Sequence, residues 1–191
     1  RVQSVSNSFG STAIAGYSAG MRIESLSIVP MLAMGNAMST FTAQNMGAGK
    51  IDRVKEGYRM CYVIVLTAGA VLCVMYQLAG GAFVSLFLDS GSSEAYSVGL
   101  SYVKFLSFFY SFIGLKASTD GLLRGAGDVT AFTVANLVNL AIRVSVTNLF
   151  APIYGIQVAW MAVPLGWAAN YVISFGWYLT GKWKKVRVIK K

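Results

Sequence analysis

The 191-residue sequence contains no histidine, only two cysteines and only seven acidic residues. Histidine is the commonest general base and a frequent metal ligand, and neither paired carboxylates nor a serine–base motif takes its place. The cysteines, Cys61 and Cys73, share one apolar run at a spacing that fits neither a metal site nor an obvious disulfide. These absences argue against an enzyme, and we expect no catalytic residue, no bound metal and no cofactor.

Charge is missing over three long stretches, residues 25–49, 61–88 and 144–181. A hydrocarbon core of about 30 Å takes about 20 apolar residues of helix to cross, so each stretch is long enough. A helix in a soluble core must present one face to water and rarely stays uncharged for so long. With 55% hydrophobic residues and a mean hydropathy of +0.59, the sequence predicts an all-α, polytopic transmembrane helix bundle.

Turn residues and charges divide the chain into five full spans that follow a truncated first span. The expected full spans cover residues 13–46, 60–88, 96–123, 129–150 and 156–180. Residues 2–9 are too few to cross, and together with Arg rather than Met at position 1 they suggest a fragment of a longer protein. We expect one transmembrane bundle over residues 1–181 and a basic cytoplasmic tail over residues 182–191.

Sixteen lysines and arginines give a net charge of +9, which could indicate a nucleic-acid partner. These residues lie in short segments between the apolar runs, so we expect no nucleic acid. The first and third loops and the tail are basic, whereas residues 89–94 are acidic. The positive-inside rule then predicts a multi-pass protein of the plasma membrane, in contact with membrane lipid, with a cytoplasmic C-terminus.

Two charges inside the first and fourth spans are candidates for function, because charges in lipid are costly. Glu24 and Arg143 both fall in the outer half of the membrane when counted along their helices at about 1.5 Å per residue. One hypothesis pairs Arg143 with Glu24 in the bundle interior, as an ion-coupling or structural charge pair. The alternative places Glu24 at the membrane interface, and Arg143 then hydrogen-bonds to Asn139, Asn148 or backbone carbonyls.

The third span carries a stripe of aromatic and charged residues at spacings of three and four, which place them on one helix face. They are Tyr102, Phe105, Phe109, Phe112, Lys116 and Asp120. Lys116 and Asp120 can pair one turn apart as a second ion-coupling or structural charge pair. The three phenylalanines could form a substrate-binding wall for flat cationic compounds through cation–π attraction. The alternative is a lipid-facing stripe with Lys116 reaching to the membrane boundary.

Further substrate-binding candidates lie on other spans. A methionine face comprises Met31, Met34 and Met38. Methionine is soft and adapts to varied ligands, although packing against neighbouring helices is the alternative role. Asn136 and Asn139, with Asn170 on the last span, should face protein or water and not lipid.

Three motifs, in order along the chain, resemble those of the multidrug and toxic compound extrusion (MATE) transporters. Residues 44–50, Gln-Asn-Met-Gly-Ala-Gly-Lys, and residues 123–128, Leu-Arg-Gly-Ala-Gly-Asp, are similar to turn motifs at cytoplasmic helix ends of that family. Gly155 followed by Trp160 and Pro164 is similar to its final hairpin. The resemblance covers nearly the whole chain.

The resemblance implies twelve helices in two lobes, with this chain as the C-terminal lobe that lacks most of helix seven and pairs with an N-terminal lobe. It implies a Na⁺- or H⁺-coupled antiporter that exports small organic, often cationic, substrates by alternating access. In the family pattern an ion-binding acid on helix ten falls at Ile113, and the other coupling acids fall outside this chain. The resemblance therefore assigns no ion-coupling residue to a position in this chain.

Two other functions are alternatives to export. A flippase for lipid-linked saccharides has a related architecture, and a uniformly basic interior would favour it, whereas this interior carries both signs. A membrane anchor without transport activity would gain nothing from Arg143 and Lys116 inside the bilayer.

Overall fold

The computed structural model describes residues 11–88, 93–154 and 156–185, and every regular element in these ranges is helical. The helices are α1 (Ser11–Gly47), α2 (Ile51–Ser85), α3 (Ser93–Ser107), α4 (Tyr110–Gly125), α5 (Val129–Tyr154) and α6 (Ile156–Leu179), and a short 3₁₀ turn (Lys182–Lys185) follows. The stub at residues 2–9, most of the acidic loop and the tail beyond residue 185 lie outside the described residues. The prediction of an all-α bundle is confirmed for the part that is described.

Three of the described helices, α1, α2 and α5, are long and apolar enough to cross a membrane, and α3 with α4 would make a fourth span as a bent pair. The predicted count of five full spans is therefore not confirmed, although α6 coincides with the fifth. Large apolar side chains cover the outer surface, as expected for contact with lipid tails. The most exposed include Leu26, Leu78, Leu137 and Val172.

The third predicted span, residues 96–123, is not one continuous helix, because the helix breaks between α3 and α4. The two helices are bent by 51°. Phe109 adopts φ −105° and ψ 0°, and its N–H bonds to the Leu106 carbonyl three residues back at 2.9 Å, so the regular ladder is interrupted. The predicted stripe therefore does not follow a single helix face: Tyr102 is fully buried, whereas Phe112 is 38% exposed.

The two glycine-rich motifs form matching helix ends. Gly49 has a φ of 71° and Gly127 a φ of 83°, a left-handed conformation that costs glycine little. After each glycine, the next backbone N–H reaches back to the last turn, from Lys50 to the Asn45 carbonyl at 2.8 Å and from Asp128 to the Leu123 carbonyl at 2.9 Å. The predicted tight turns are confirmed, and they lie at the same end of the bundle, which we call the basic end.

Helix α5 extends further than predicted, through Pro152 to Tyr154, so that only residue 155 separates it from α6. The two helices form a closely packed hairpin, while α5 contacts α4 little. Helix α4 lies at the centre of the bundle against α1, α2 and α6, and ten of its sixteen residues are buried. Its contact with α1 is close because glycines lie on both helices there.

Candidate functional site

A buried ionic centre joins α4, α5 and α6. The Lys116 ammonium lies 2.9 Å from the Asp120 carboxylate one turn later, and both side chains are largely buried. Asn136 on α5 accepts from Lys116 at 3.1 Å and donates to Asp120 at 3.2 Å. The hydroxyl of Ser174 on α6 donates to the other Asp120 oxygen at 2.7 Å. Both carboxylate oxygens are thus occupied, as the burial of a charge requires.

Next to this centre, two buried asparagines have an unpaired amide atom. Asn170 is fully buried, and its side-chain oxygen accepts from Ser174 at 3.3 Å, but its amide nitrogen has no partner among the described residues. The side-chain oxygen of Asn139 also lacks a partner in the described part of the chain. Asn139 fits against α6 only because residue 166 is glycine, since a Cβ there would lie 2.4 Å from the Asn139 oxygen. The predicted orientation of both residues toward protein is confirmed.

A cavity of about 310 Å³ opens beside the ionic centre, between α1, α4 and α5, and its lining combines charged and apolar side chains. Its polar and aromatic lining comprises Asn36, Lys116, Asp120, Arg124, Phe132 and Asn136, and we call it the Arg124 cavity. The Arg124 guanidinium donates to the Asn36 side-chain oxygen at 2.7 Å and to the Ser39 hydroxyl at 3.4 Å, and it lies 5.7 Å from the centre of the Phe132 ring. This arginine lies at the basic end of α4.

Away from the basic end, Glu24 on α1 accepts a short hydrogen bond from the hydroxyl of Tyr102 on α3. The predicted partner of this carboxylate is Arg143 of α5. The described residues nevertheless contain no ion pair between the two within 4.0 Å, so the predicted direct pair is not formed. No bond from Arg143 to Asn139 or Asn148 exists in this part either, and Asn148 donates to the Val144 carbonyl at 2.8 Å, so the alternative, which also allowed backbone carbonyls as partners, stays a prediction.

The three phenylalanines of the predicted wall lie together and line a second cavity, which is apolar. Phe105, Phe109 and Phe112 line about 220 Å³ at the α3–α4 bend, opposite Met161 and Pro164 of α6. Their ring centres follow one another at 5.2 Å and 6.3 Å. The cavity lies at the bend and not beside Lys116, so the stripe divides into an aromatic part and an ionic part. The role of the three rings in binding stays a prediction.

The methionine face lies mostly in the core. Met31 and Met38 are buried, and Met34 is half-buried against the same core. The Met31 sulfur fills the space over Gly114, 3.1 Å from where a Cβ would stand. This position agrees with the packing alternative for Met31, and a role for Met31 or Met34 in binding stays a prediction.

Sequence analysis missed a cluster of hydroxyl groups between α2, α4 and α6. Thr119 bonds to the hydroxyls of Tyr58 at 2.7 Å and Tyr62 at 2.9 Å, and Tyr62 also donates to Tyr171 at 3.3 Å. It also missed the bond from the Trp177 indole N–H to Asp128 at 2.6 Å, which ties α6 to the start of α5. The i, i+4 spacing of Tyr58 and Tyr62 was the one signal in the sequence.

A family model described as MatE matches residues 2–161 of the chain. The chain belongs to the MATE family. This confirms the resemblance in the turn motifs. The probable multidrug resistance protein YpnP of Bacillus subtilis (strain 168) is 29% identical over 188 residues, which are 98% of this chain and 42% of that protein. A second probable multidrug resistance protein of the same organism, YoeA, is 24% identical over 187 residues, with 96% and 40% covered.

A solved MATE structure shares the fold. It is described as the inward-facing conformation of a multidrug resistance MATE family transporter of the MOP superfamily, and it matches with a TM-score of 0.80 at 18% identity. The match covers 88% of this chain and 38% of the solved one. The chain thus spans about two fifths of the length of the curated MATE relatives it matches.

Proposed function

We propose that the chain is the C-terminal lobe of a MATE exporter that moves drugs and other amphipathic organic compounds out of the cell in exchange for Na⁺ or H⁺. The observation that carries the proposal is the buried Lys116–Asp120 centre beside an open cavity, inside a bundle whose outer surface is apolar. Charges inside a membrane bundle mark transport pathways, because a passive anchor gains nothing from their cost. Membership of the MATE family supports the same function over an enzymatic one.

The proposal includes a second lobe as partner. Alternating access needs two bodies that rock around a central cavity, and one lobe alone provides a single wall. We therefore propose an N-terminal lobe of the same transporter, a location in the plasma membrane and a cytoplasmic basic end. The basic end holds Lys50, Arg124 and Lys182, in accord with the positive-inside rule.

For the coupling group we propose Glu24. The position that the family pattern assigns to a helix-ten acid is Ile113, a buried apolar side chain. Asp120 is a poor candidate because three neighbours already donate to its two oxygens. Glu24 is only half-buried, and among the residues that the structure describes it receives a hydrogen bond from Tyr102 alone, which leaves a carboxylate oxygen to bind a proton or a cation.

The flippase alternative receives less support. A cavity for lipid-linked saccharides would be uniformly basic, whereas this cavity carries both signs, with Lys116 paired to Asp120. Phe105, Phe109 and Phe112 also present an apolar surface that suits flat organic compounds better than a sugar.

The test is accumulation of ethidium in efflux-deficient bacteria that express the complete transporter containing this chain. Lower accumulation than in vector controls is expected, with the effect lost in Glu24→Gln and kept in Glu56→Gln, an exposed acid on α2. Unchanged accumulation of ethidium and of a fluoroquinolone, with normal membrane insertion, would contradict the proposed export.

A further inference from the structure

We infer that the Arg124 cavity binds the carboxylate of an amphipathic organic substrate and not its cationic group. This inference names a substrate class for the proposed export and rests on that function. Among the described residues, the charges that line the cavity are two cations, Lys116 and Arg124, and one carboxylate, Asp120. Lys116 and Asp120 neutralise each other at 2.9 Å. The positive charge of Arg124 is therefore not balanced by a carboxylate of the cavity lining.

The lone carboxylate of the cavity cannot serve a cationic ligand. Asp120 is 4% exposed, and its oxygens accept from Lys116, Asn136 and Ser174. A bound ammonium group would have to displace one of these donors and leave it buried without a partner, which is costly. The one anionic group is thus committed to the protein interior.

The cavity does, in contrast, offer hydrogen-bond donors to an anionic ligand. No carboxylate lies within 4.0 Å of the Arg124 guanidinium in the ranges that the structure describes, and its hydrogen bonds there use Nε and Nη2 toward neutral groups. Nη1 is left to donate, as is the amide nitrogen of Asn36 beside it. A guanidinium and a carboxylate form charge-assisted bonds, with a geometry that suits a planar anion.

The floor of the cavity is rigid enough to hold these donors in place. Gly35 of α1 and Gly121 of α4 both line the cavity, and a Cβ on Gly121 would lie 2.1 Å from the Gly35 carbonyl oxygen. One turn later, a Cβ on Gly125 would lie 2.2 Å from the Ser39 carbonyl oxygen. These backbone contacts fix the register that brings Arg124 to Asn36. The Phe132 ring completes the site with a flat apolar wall.

The experiment compares two ligands that differ only in the carboxylate, ciprofloxacin and its ethyl ester. Their dissociation constants are measured by fluorescence on the purified complete transporter in phosphatidylcholine nanodiscs. Arg124→Gln should weaken ciprofloxacin about tenfold or more, as expected for a lost charge-assisted bond, and should change the ester less than about twofold. Arg59→Gln, which removes an exposed arginine of α2, should change neither.

An unchanged dissociation constant for ciprofloxacin, or an equal loss for the ester, would overturn the inference. Arg124→Lys keeps the charge without the planar fork and should give an intermediate loss, which guards against misfolding of the glutamine variant. A lipid phosphate could use the same donors. If Arg124→Gln leaves the dissociation constant of ciprofloxacin unchanged in pure phosphatidylcholine but abolishes the binding of added phosphatidylglycerol, the cavity would be assigned to lipid instead. Selective binding without any export would refute the proposed function and leave this inference standing.

Discussion

The backbones of Gly35 and Gly121 touch, so that a Cβ on Gly121 would lie only 2.1 Å from the Gly35 carbonyl oxygen. No rotamer change can relieve a clash between a Cβ and a backbone atom, so α1 and α4 would have to separate. The ionic centre and the Arg124 cavity both depend on this register, because Lys116, Asp120 and Arg124 lie on α4.

We therefore predict that Gly121→Ala destabilises the complete transporter by at least about 1 to 3 kcal/mol, the usual cost of overpacking. Gly176→Ala is the matched control, since a Cβ there meets nothing within 4 Å and alanine favours the helix. Thermal unfolding of both variants in detergent gives the comparison. Equal melting temperatures for the two would show that the contact between α1 and α4 is looser than described.

The buried pair of Lys116 and Asp120 should behave unlike the exposed pair of Lys55 and Asp52. Asp120→Asn leaves the Lys116 charge without its counter-ion and should cost about 3 to 5 kcal/mol, whereas the double change Lys116→Met with Asp120→Leu should recover part of that loss. Asp52→Asn should leave stability unchanged, because that carboxylate is fully exposed to solvent. Urea or thermal denaturation provides the measurement. A double variant as unstable as Asp120→Asn alone would rule out charge imbalance as the cause.

The bond from Trp177 to Asp128 should hold the end of α6 against the start of α5. Trp177→Phe removes the indole donor and leaves a buried carboxylate oxygen without its partner, at a cost of about 1 to 3 kcal/mol. Asp128→Asn keeps an oxygen that can accept and should cost less. Hydrogen exchange of the first turn of α5 would show the effect, because the other Asp128 oxygen accepts from the Ala131 N–H at 3.3 Å. Unaltered exchange in Trp177→Phe would mean that the bond does not stabilise this helix start.

The apolar cavity at the α3–α4 bend should be reachable by water in one state of the transport cycle. Cysteines introduced as Phe105→Cys and Phe109→Cys should react with a membrane-impermeant thiol reagent, once Cys61 and Cys73 are replaced by serine. Leu78→Cys, at a side chain 83% exposed on the apolar surface, should stay unlabelled in lipid. Labelling at Leu78 with none at Phe105 or Phe109 would place the rings away from the substrate path.

The features that the sequence predicted correctly are local, because they depend on residues close together in the chain. The turns at Gly49 and Gly127 follow from a conformation that glycine adopts at little cost, and the pairing of Lys116 with Asp120 follows from i, i+4 geometry within one helix. The bend at Phe109 was not predictable in this way, because neither glycine nor proline marks it. Its signal is a departure from helical φ and ψ that only the packed structure shows.

Contacts between helices were harder to predict. Ser174 completes the ionic centre from a helix more than fifty residues away, and its arrival depends on the register between α4 and α6. The sequence suggested Arg143 as the partner of Glu24, whereas its hydrogen-bond partner in the structure is Tyr102, which the three- and four-residue spacing had assigned to the aromatic stripe. The break between α3 and α4 invalidated that assignment.

The central claim is that this chain forms one lobe of an exporter driven by a cation gradient, with Glu24 as the coupling group. The most direct measurement is ethidium flux in liposomes that contain the purified complete transporter, under imposed pH or Na⁺ gradients. The account predicts gradient-driven flux in the wild type and in Glu56→Gln, and none in Glu24→Gln, which should still bind ethidium. Flux that is equally gradient-dependent in Glu24→Gln, or a wild type that moves neither ethidium nor ciprofloxacin under either gradient, would contradict it.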